Sequence, residues 1–231
     1  MSVGKAKGVF VTGTDTGVGK TIVSACLLWR LREKGIKAGY FKPVQTGAEN
    51  GIPPDAEFCK KMLGLEEPYE ALCGYILKLP ASPHLAGSVE GIEIKPEVIL
   101  EKFNQLLQKY EFLVVEGAGG LLVPINLKGY YMRELAKDLG LPLIITARAK
   151  LGTINHTLLT IESAKRAGLK ILGVVLTPFP EKPSIIEKDN IEVIEKLGGI
   201  KVIGKLPEIP LNKEGIKKGA SFIDIEKCGL T

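Results

Sequence analysis

Cysteine is scarce in this 231-residue chain: Cys26, Cys59, Cys73 and Cys228 lie far apart, with no C-x-x-C spacing. That excludes a cysteine-ligated zinc site and a disulfide framework, and it suits a reducing cytosol. Histidine is scarcer still. His84 and His156 are too separated in sequence to suggest a metal pair or a nucleophile triad. No apolar stretch approaches the ~20 residues that cross a bilayer, and no basic segment followed by an apolar one opens the chain. The sequence therefore reads as a soluble, cytoplasmic protein with no membrane partner. Long blocks of one charge are also missing. The net charge of +5 is spread over pairs such as Lys60-Lys61 and Lys217-Lys218, which read as solvated surface and not as a nucleic-acid face. With 45% apolar residues and no internal repeat or low-complexity segment, the chain is long enough for one sizeable core, and a single domain over 1–231 is expected.

What is present begins at residues 12–21, Thr-Gly-Thr-Asp-Thr-Gly-Val-Gly-Lys-Thr, after the apolar run Gly8-Val9-Phe10-Val11 and before the helical pattern from Ile22. A strand, a glycine-rich turn and a helix start in that order let backbone N–H groups converge on a polyphosphate. Lys20 would reach the outer phosphates, and the Thr21 hydroxyl is available to a magnesium ion. Thr16, Gly17, Val18, Gly19, Lys20, Thr21 and Ile22 are the expected nucleotide-binding residues of this loop. The loop is a variant of G-x-x-x-x-G-K-[ST], because Thr14 occupies the first glycine position and Gly13 stands one residue earlier. Switch ATPases of the partitioning type carry an extra lysine just before a Gly-Gly pair; here the stretch reads Asp15-Thr16-Gly17. That favours a metabolic ligase.

Short β-rich runs at 8–12, 38–41, 112–115, 143–147, 171–176 and 202–203 alternate with helical periods at 19–34, 55–63, 96–109, 131–139, 153–167 and 184–197. The alternation predicts an α/β fold like that of P-loop nucleotidases, a mostly parallel sheet flanked by helices on both faces. Open parallel sheets bind ligands at the carboxyl ends of their strands. Lys42 follows the second run and is either a charge-neutralising lysine beside a triphosphate or a snorkelling surface lysine. Phe112-Leu113-Val114-Val115-Glu116-Gly117-Ala118-Gly119-Gly120 delivers one carboxylate and then glycines, the place where magnesium would be held and where backbone would approach a γ-phosphate. Asp55 is a second carboxylate for the same ion or a helix N-cap. Residues 150–156 open a helix after the fourth run, with Thr153 or a neighbour as a cap or with free N–H groups for a carboxylate.

Taken together, Val11-Thr12-Gly13-Thr14-Asp15-Thr16 with Gly19-Lys20-Thr21, Lys42-Pro43-Val44, Ser82-Pro83-His84, Val115-Glu116-Gly117-Ala118-Gly119-Gly120 and Lys150-Leu151-Gly152-Thr153-Ile154-Asn155-His156 resemble the dethiobiotin synthetase family over most of the chain. The resemblance implies a homodimer that takes 7,8-diaminopelargonate, carbon dioxide (or bicarbonate as its source) and Mg-ATP. It implies catalytic roles for Lys20 and Lys42, and a magnesium set of Thr21, Asp55 and Glu116. Gly117, Ala118 and Gly119 would lie on the nucleotide, and Thr16, Lys42 and Thr46 on the diamine or its carbamate. Gly152, Thr153, Ile154 and Asn155, from the partner subunit, would receive the substrate carboxylate. Thr46 stands where a serine is frequent, and the hydroxyl is kept. Thr177-Pro178 stands where the family commonly places an Asn against the adenine, which leaves the base preference open. Pro207, Glu208, Ile209 and Glu214 match the remaining nucleotide-contact region. The alternative function is a partitioning or regulatory ATPase switched by its nucleotide.

Overall fold

The computed structural model describes residues 8–227 with 229 and 230; Cys228 and residues 1–7, where a leader would be sought, lie outside the described residues. The chain opens with β1 (Gly8–Gly13), α1 (Lys20–Glu33), β2 (Ala38–Gln45), α2 (Pro54–Leu63), α3 (Tyr69–Leu72), β3 (Cys73–Ile76), α4 (Pro83–Glu90) and α5 (Pro96–Leu106). It continues with β4 (Phe112–Gly120), α6 (Met132–Asp138), β5 (Leu143–Ala147), α7 (Thr153–Arg166), β6 (Ile171–Leu176), α8 (Ile185–Gly198), β7 (Val202–Lys205) and α9 (Lys213–Ala220). The strands form one sheet in the order β3-β2-β4-β1-β5-β6-β7, with every pairing parallel.

The sheet is covered on both faces, so its central strands are continuous apolar runs. Within them the two-residue period still decides which layer each side chain joins. Val9 and Val11 of β1 pack with Leu27 and Leu31 of α1 and Ile216 of α9. Phe10, between them, packs with Phe103 of α5 and Leu135 of α6 on the opposite face. Fully buried side chains such as Phe10 and Phe41 each contribute about 1.5–3 kcal/mol of transfer free energy. A third cluster joins β5 and β6 to Ile161 of α7 and Ile194 of α8. Among the described residues, no helix is long and apolar enough to cross a membrane.

Two strands run further than their sequence patterns indicate. β2 continues from Phe41 through Lys42 and Pro43 to Gln45, and it changes partner on the way. Residues 38–41 pair with β4, while Lys42, Val44 and Gln45 pair with β3 on the other side. Lys42 is thus a residue within β2, with three more strand residues after it. At Pro43 the adjoining β3 comes close, because Gly74 has no Cβ to collide with the Pro43 carbonyl oxygen. β4 continues to Gly120, beyond the predicted end at Val115. The unpredicted elements are β3, α3, α4 and α9. In α9 the helix-weakening Gly219 is a packing device, because a Cβ there would meet Cys26 Sγ of α1 and Ile209 Cδ1 at 2.7 Å.

Candidate active site

The turn between β1 and α1 is shaped by Gly17 (φ +67°) and Gly19 (φ +89°), a backbone region that side chains disfavour. Gly19 is the N-cap of α1 and supplies no capping side chain, so first-turn N–H groups remain open to an anion. The Lys20 ammonium folds back over the turn and donates to the Asp15 carbonyl at 3.0 Å. Burial, reinforced by the nearby Lys42 charge, pushes its pKa down to about 8.

Below the turn, four side chains from α1, β2, α2 and β4 close into a ring. The Lys42 ammonium lies 2.7 Å from Asp55 Oδ2 and 2.8 Å from Glu116 Oε1. The Thr21 hydroxyl lies 3.1 Å from Asp55 Oδ1 and 2.9 Å from Glu116 Oε1. Tyr40 donates to Glu116 Oε2 at 2.8 Å, and the Gln45 amide pairs with both the backbone N–H and the side chain of Asp55. Lys42 and Glu116 are 3% and 1% exposed, which rules out the snorkelling reading of Lys42. Burial alone would lower the Lys42 pKa, but Glu116 and Asp55 outweigh it and the ammonium is held charged. Burial likewise raises Asp55, and Lys42 outweighs it in turn, leaving the carboxyl below its usual range. Asp55 does not cap its helix: the N-cap of α2 is Pro53.

This ring lines a cleft of about 700 Å³ with Thr16, Gly17, Gly19, Ile22, Thr46, Ala118 and Gly119. Ser82 and Pro83 at the start of α4 face it from the other side. Val18 is buried beneath the turn. Gly117 belongs to the packing, since a Cβ there would meet the Phe10 ring at 2.7 Å; its carbonyl accepts a hydrogen bond from Lys42. Among the described residues no group of three or more His, Cys, Asp or Glu stands together as a metal cage. Two carboxylates and a hydroxyl suit magnesium, which keeps several waters and takes phosphate oxygens. Thr21 Oγ1 is hydrogen-bonded to Asp55 and Glu116, which brings these three oxygen-bearing side chains to one corner of the cleft.

The remaining predicted residues fall in two other places. Pro178, Pro207 and Glu208 share a cavity of about 500 Å³ with Lys150, Phe179 and Glu187, past the ends of β5, β6 and β7. Thr177 is buried between this cavity and the turn; a Cβ on Gly19 would meet its methyl at 2.9 Å. Ile209 points into the core below α1, and Glu214 is exposed on α9, so neither lines the cavity. Gly152 (φ +93°) is the N-cap of α7. Thr153 is buried with its hydroxyl 3.3 Å from that of Thr157, so it does not cap the helix. Ile154 is half-buried, Asn155 is exposed, and none of residues 152–155 lines the main cleft. Tyr40, Gln45 and Arg148 were not anticipated. Tyr40 and Gln45 carried a signal, as polar-tipped residues in an apolar strand beside Lys42.

A family model described as an AAA domain matches residues 7–214. The chain is 45% identical over 207 residues to the ATP-dependent dethiobiotin synthetase BioD of Anoxybacillus flavithermus, covering 88% of this chain and 92% of that one. The chain belongs to the ATP-dependent dethiobiotin synthetase family. A second member, from Thermodesulfovibrio yellowstonii, is 40% identical over 232 residues, covering 95% of this chain and 97% of the other. Solved structures similar in fold include a ParA family ATPase from Chlorobium tepidum, with TM-score 0.57 and 14% identity over 94% of this chain and 100% of that one. The cell division protein MinD of Aquifex aeolicus has TM-score 0.58 and 17% identity over 97% and 96% of the two chains. At such identities the likeness speaks of the parallel P-loop sheet alone; the activity of the synthetase family is a separate matter.

Proposed function

We propose that this chain, as a single P-loop α/β domain, is an ATP-dependent ligase that converts 7,8-diaminopelargonate and carbon dioxide to dethiobiotin. The observation that carries the reading is the buried Lys42 ammonium, held between Asp55 and Glu116 directly below the glycine turn. A fixed positive charge at that point serves a reaction in which carboxylate-like and phosphoryl charge accumulate together.

One amine of the substrate attacks carbon dioxide and loses a proton, giving a carbamate. A carbamate oxygen then attacks the γ-phosphorus, ADP departs, and a carbamic-phosphoric anhydride results. The second amine attacks its carbonyl carbon, phosphate leaves, and the ureido ring closes with loss of another proton. Lys42 and Lys20 hold the carbamate and the transferring phosphoryl group, and the turn N–H groups orient the triphosphate. Thr16 and Thr46, both on the cleft wall, lie against the diamine or its carbamate. Thr21, Asp55 and Glu116 would hold magnesium, which supplies charge neutralisation to the β- and γ-phosphate oxygens. The nucleotide base enters the cavity bounded by Pro178, Pro207 and Glu208.

The substrate carboxylate is received by residues 152–155 of a second subunit. Two features support this: the start of α7 has no side-chain cap, and Leu122 and Leu159 (57% and 56% exposed) line the groove between β4 and α7. Such apolar exposure suits a covered interface. The test is phosphate release from Mg-ATP with and without the diamine and bicarbonate, with mass spectrometry of the organic product. Release that needs both, with a ureido product, is expected. Turnover indifferent to the diamine would sink the ligase and favour a nucleotide switch.

A further inference from the structure

Arg148, just past the carboxyl end of β5, stands outside the ring of Lys42, Asp55, Thr21 and Glu116. Its Nη1 donates to Asp15 Oδ2 at 2.8 Å, and its Nη2 donates to the Thr16 carbonyl at 3.0 Å. One planar fork therefore holds a carboxylate and a backbone carbonyl of the glycine turn from a segment more than 130 residues away in sequence. A Cβ built on Gly17 would come within 3.9 Å of the same Nη2, so the guanidinium lies against the tip of the turn.

Two consecutive peptide planes are fixed by these contacts. The Asp15 carbonyl accepts from Lys20, while the Thr16 N–H donates to Asp15 Oδ1 at 2.7 Å. In the next peptide the Thr16 carbonyl is held outward by Arg148. A trans peptide directs its C=O and N–H in opposite directions, so the N–H of Gly17 is turned away from Arg148, and Gly17 itself lines the cleft. The Asp15 carboxylate, on the same turn, is neutralised by the Arg148 guanidinium.

We infer that Arg148 is a positioning residue for the triphosphate, aiming the Gly17 N–H through the Thr16 carbonyl and cancelling the Asp15 charge at the mouth of the turn. The inference rests on the triphosphate reading of the turn proposed above. Asp15 and Arg148 are 52% and 43% exposed, so their ion pair contributes little to stability, and its effect falls on nucleotide binding.

The experiment uses the full chain with Arg148→Met, Arg148→Lys and the double variant Arg148→Met/Asp15→Asn. It measures Mg-ATP affinity, KM for ATP, kcat at saturating ATP, and Tm. Arg148→Met is expected to raise Kd and KM for ATP about tenfold or more, the size of one charge-assisted hydrogen bond, with kcat changed less than about threefold and Tm unchanged. Arg148→Lys keeps the charge and loses the fork, and falls between. Asp15→Asn regains part of the loss by removing the repulsion. An Arg148→Met variant that binds ATP within about twofold of the unchanged chain overturns the inference. So does one whose kcat and Tm fall together with affinity, since that is a folding role. An unchanged chain that binds no ATP overturns the ligase reading as well, which separates the two failures.

Discussion

Lys42 on β2 and Glu116 on β4 are 74 residues apart in sequence, and their Nζ and Oε1 atoms are 2.8 Å apart, nearly out of reach of water. Two adjacent parallel strands bring them together at the carboxyl edge of the sheet, where α1 adds Thr21 and α2 adds Asp55. Charges buried this way are strongly coupled to one another, so changes here act on stability and on chemistry together.

Lys42→Gln leaves two carboxylates without their cation. Removing one partner of a buried pair costs about 3–5 kcal/mol, which for a chain of this size lowers Tm by roughly 6–20 °C. The kcat should fall by about 10²–10³, the size of one lost electrostatic stabiliser. Thermal denaturation beside single-turnover phosphate release checks both. Undiminished turnover would remove Lys42 from the mechanism.

Lys20 has a pKa of about 8 because it is buried and close to Lys42, against an ordinary value of 10.5. Above pH 8 the folded lysine releases its proton while the unfolded one keeps it. The burden of a buried charge is therefore fully present below pH 8, and stability rises between about 8 and 10.5. Phosphate oxygens reverse the balance by favouring the ammonium. Nucleotide binding above pH 8 should take up a proton, and KM for ATP should climb with pH. Calorimetry in buffers of different ionisation enthalpy measures the uptake; no proton uptake at pH 8.5 contradicts the expectation.

Thr21→Val keeps the volume of the side chain and deletes the oxygen shared by Asp55 and Glu116. The magnesium concentration for half-maximal turnover should rise about tenfold or more, a change typical of a lost ligand contact, while the circular dichroism spectrum is retained. Chelation with EDTA should abolish turnover, and added magnesium should restore it. An unaltered magnesium requirement in Thr21→Val would place the ion elsewhere.

A site completed by a second subunit has a genetic signature. Lys42→Gln and Asn155→Lys should each be inactive alone, and mixed dimers should regain about one working site in two, since one chain of the pair keeps a good cleft and the other a good α7 start. Leu159→Glu should shift the chain to monomer in sedimentation and take activity with it. Activity in that monomer, or no complementation on mixing, would show each chain to be self-sufficient.

Much of this was legible in the sequence because it is local. The glycine turn could be read since Gly17, Gly19, Lys20 and Thr21 act within one strand-turn-helix unit. Lys42 and Glu116 could be flagged as charges ending apolar runs, although the continuation of β2 through Pro43 depends on a second neighbour, β3, whose four residues carry too little pattern to be seen. α9 escaped because Gly215 and Gly219 argue against a helix locally, and only close packing against α1 explains Gly219. The start of α7 was marked correctly as a helix opening, but its N-cap position is Gly152, which has no side chain to cap with, and the hydroxyl of Thr153 faces Thr157 instead.

By itself the sequence determined the parallel α/β order and the phosphate-loop chemistry, because hydrophobic period and turn residues act over a few neighbours. Tertiary structure alone decided which charges share one environment: Lys42 between Asp55 and Glu116, Tyr40 on Glu116, and Arg148 on Asp15. The reason is physical. The order of strands in a sheet is set by crossovers and layer packing and not by adjacency in the chain, and electrostatic coupling depends on distance and burial in the folded state.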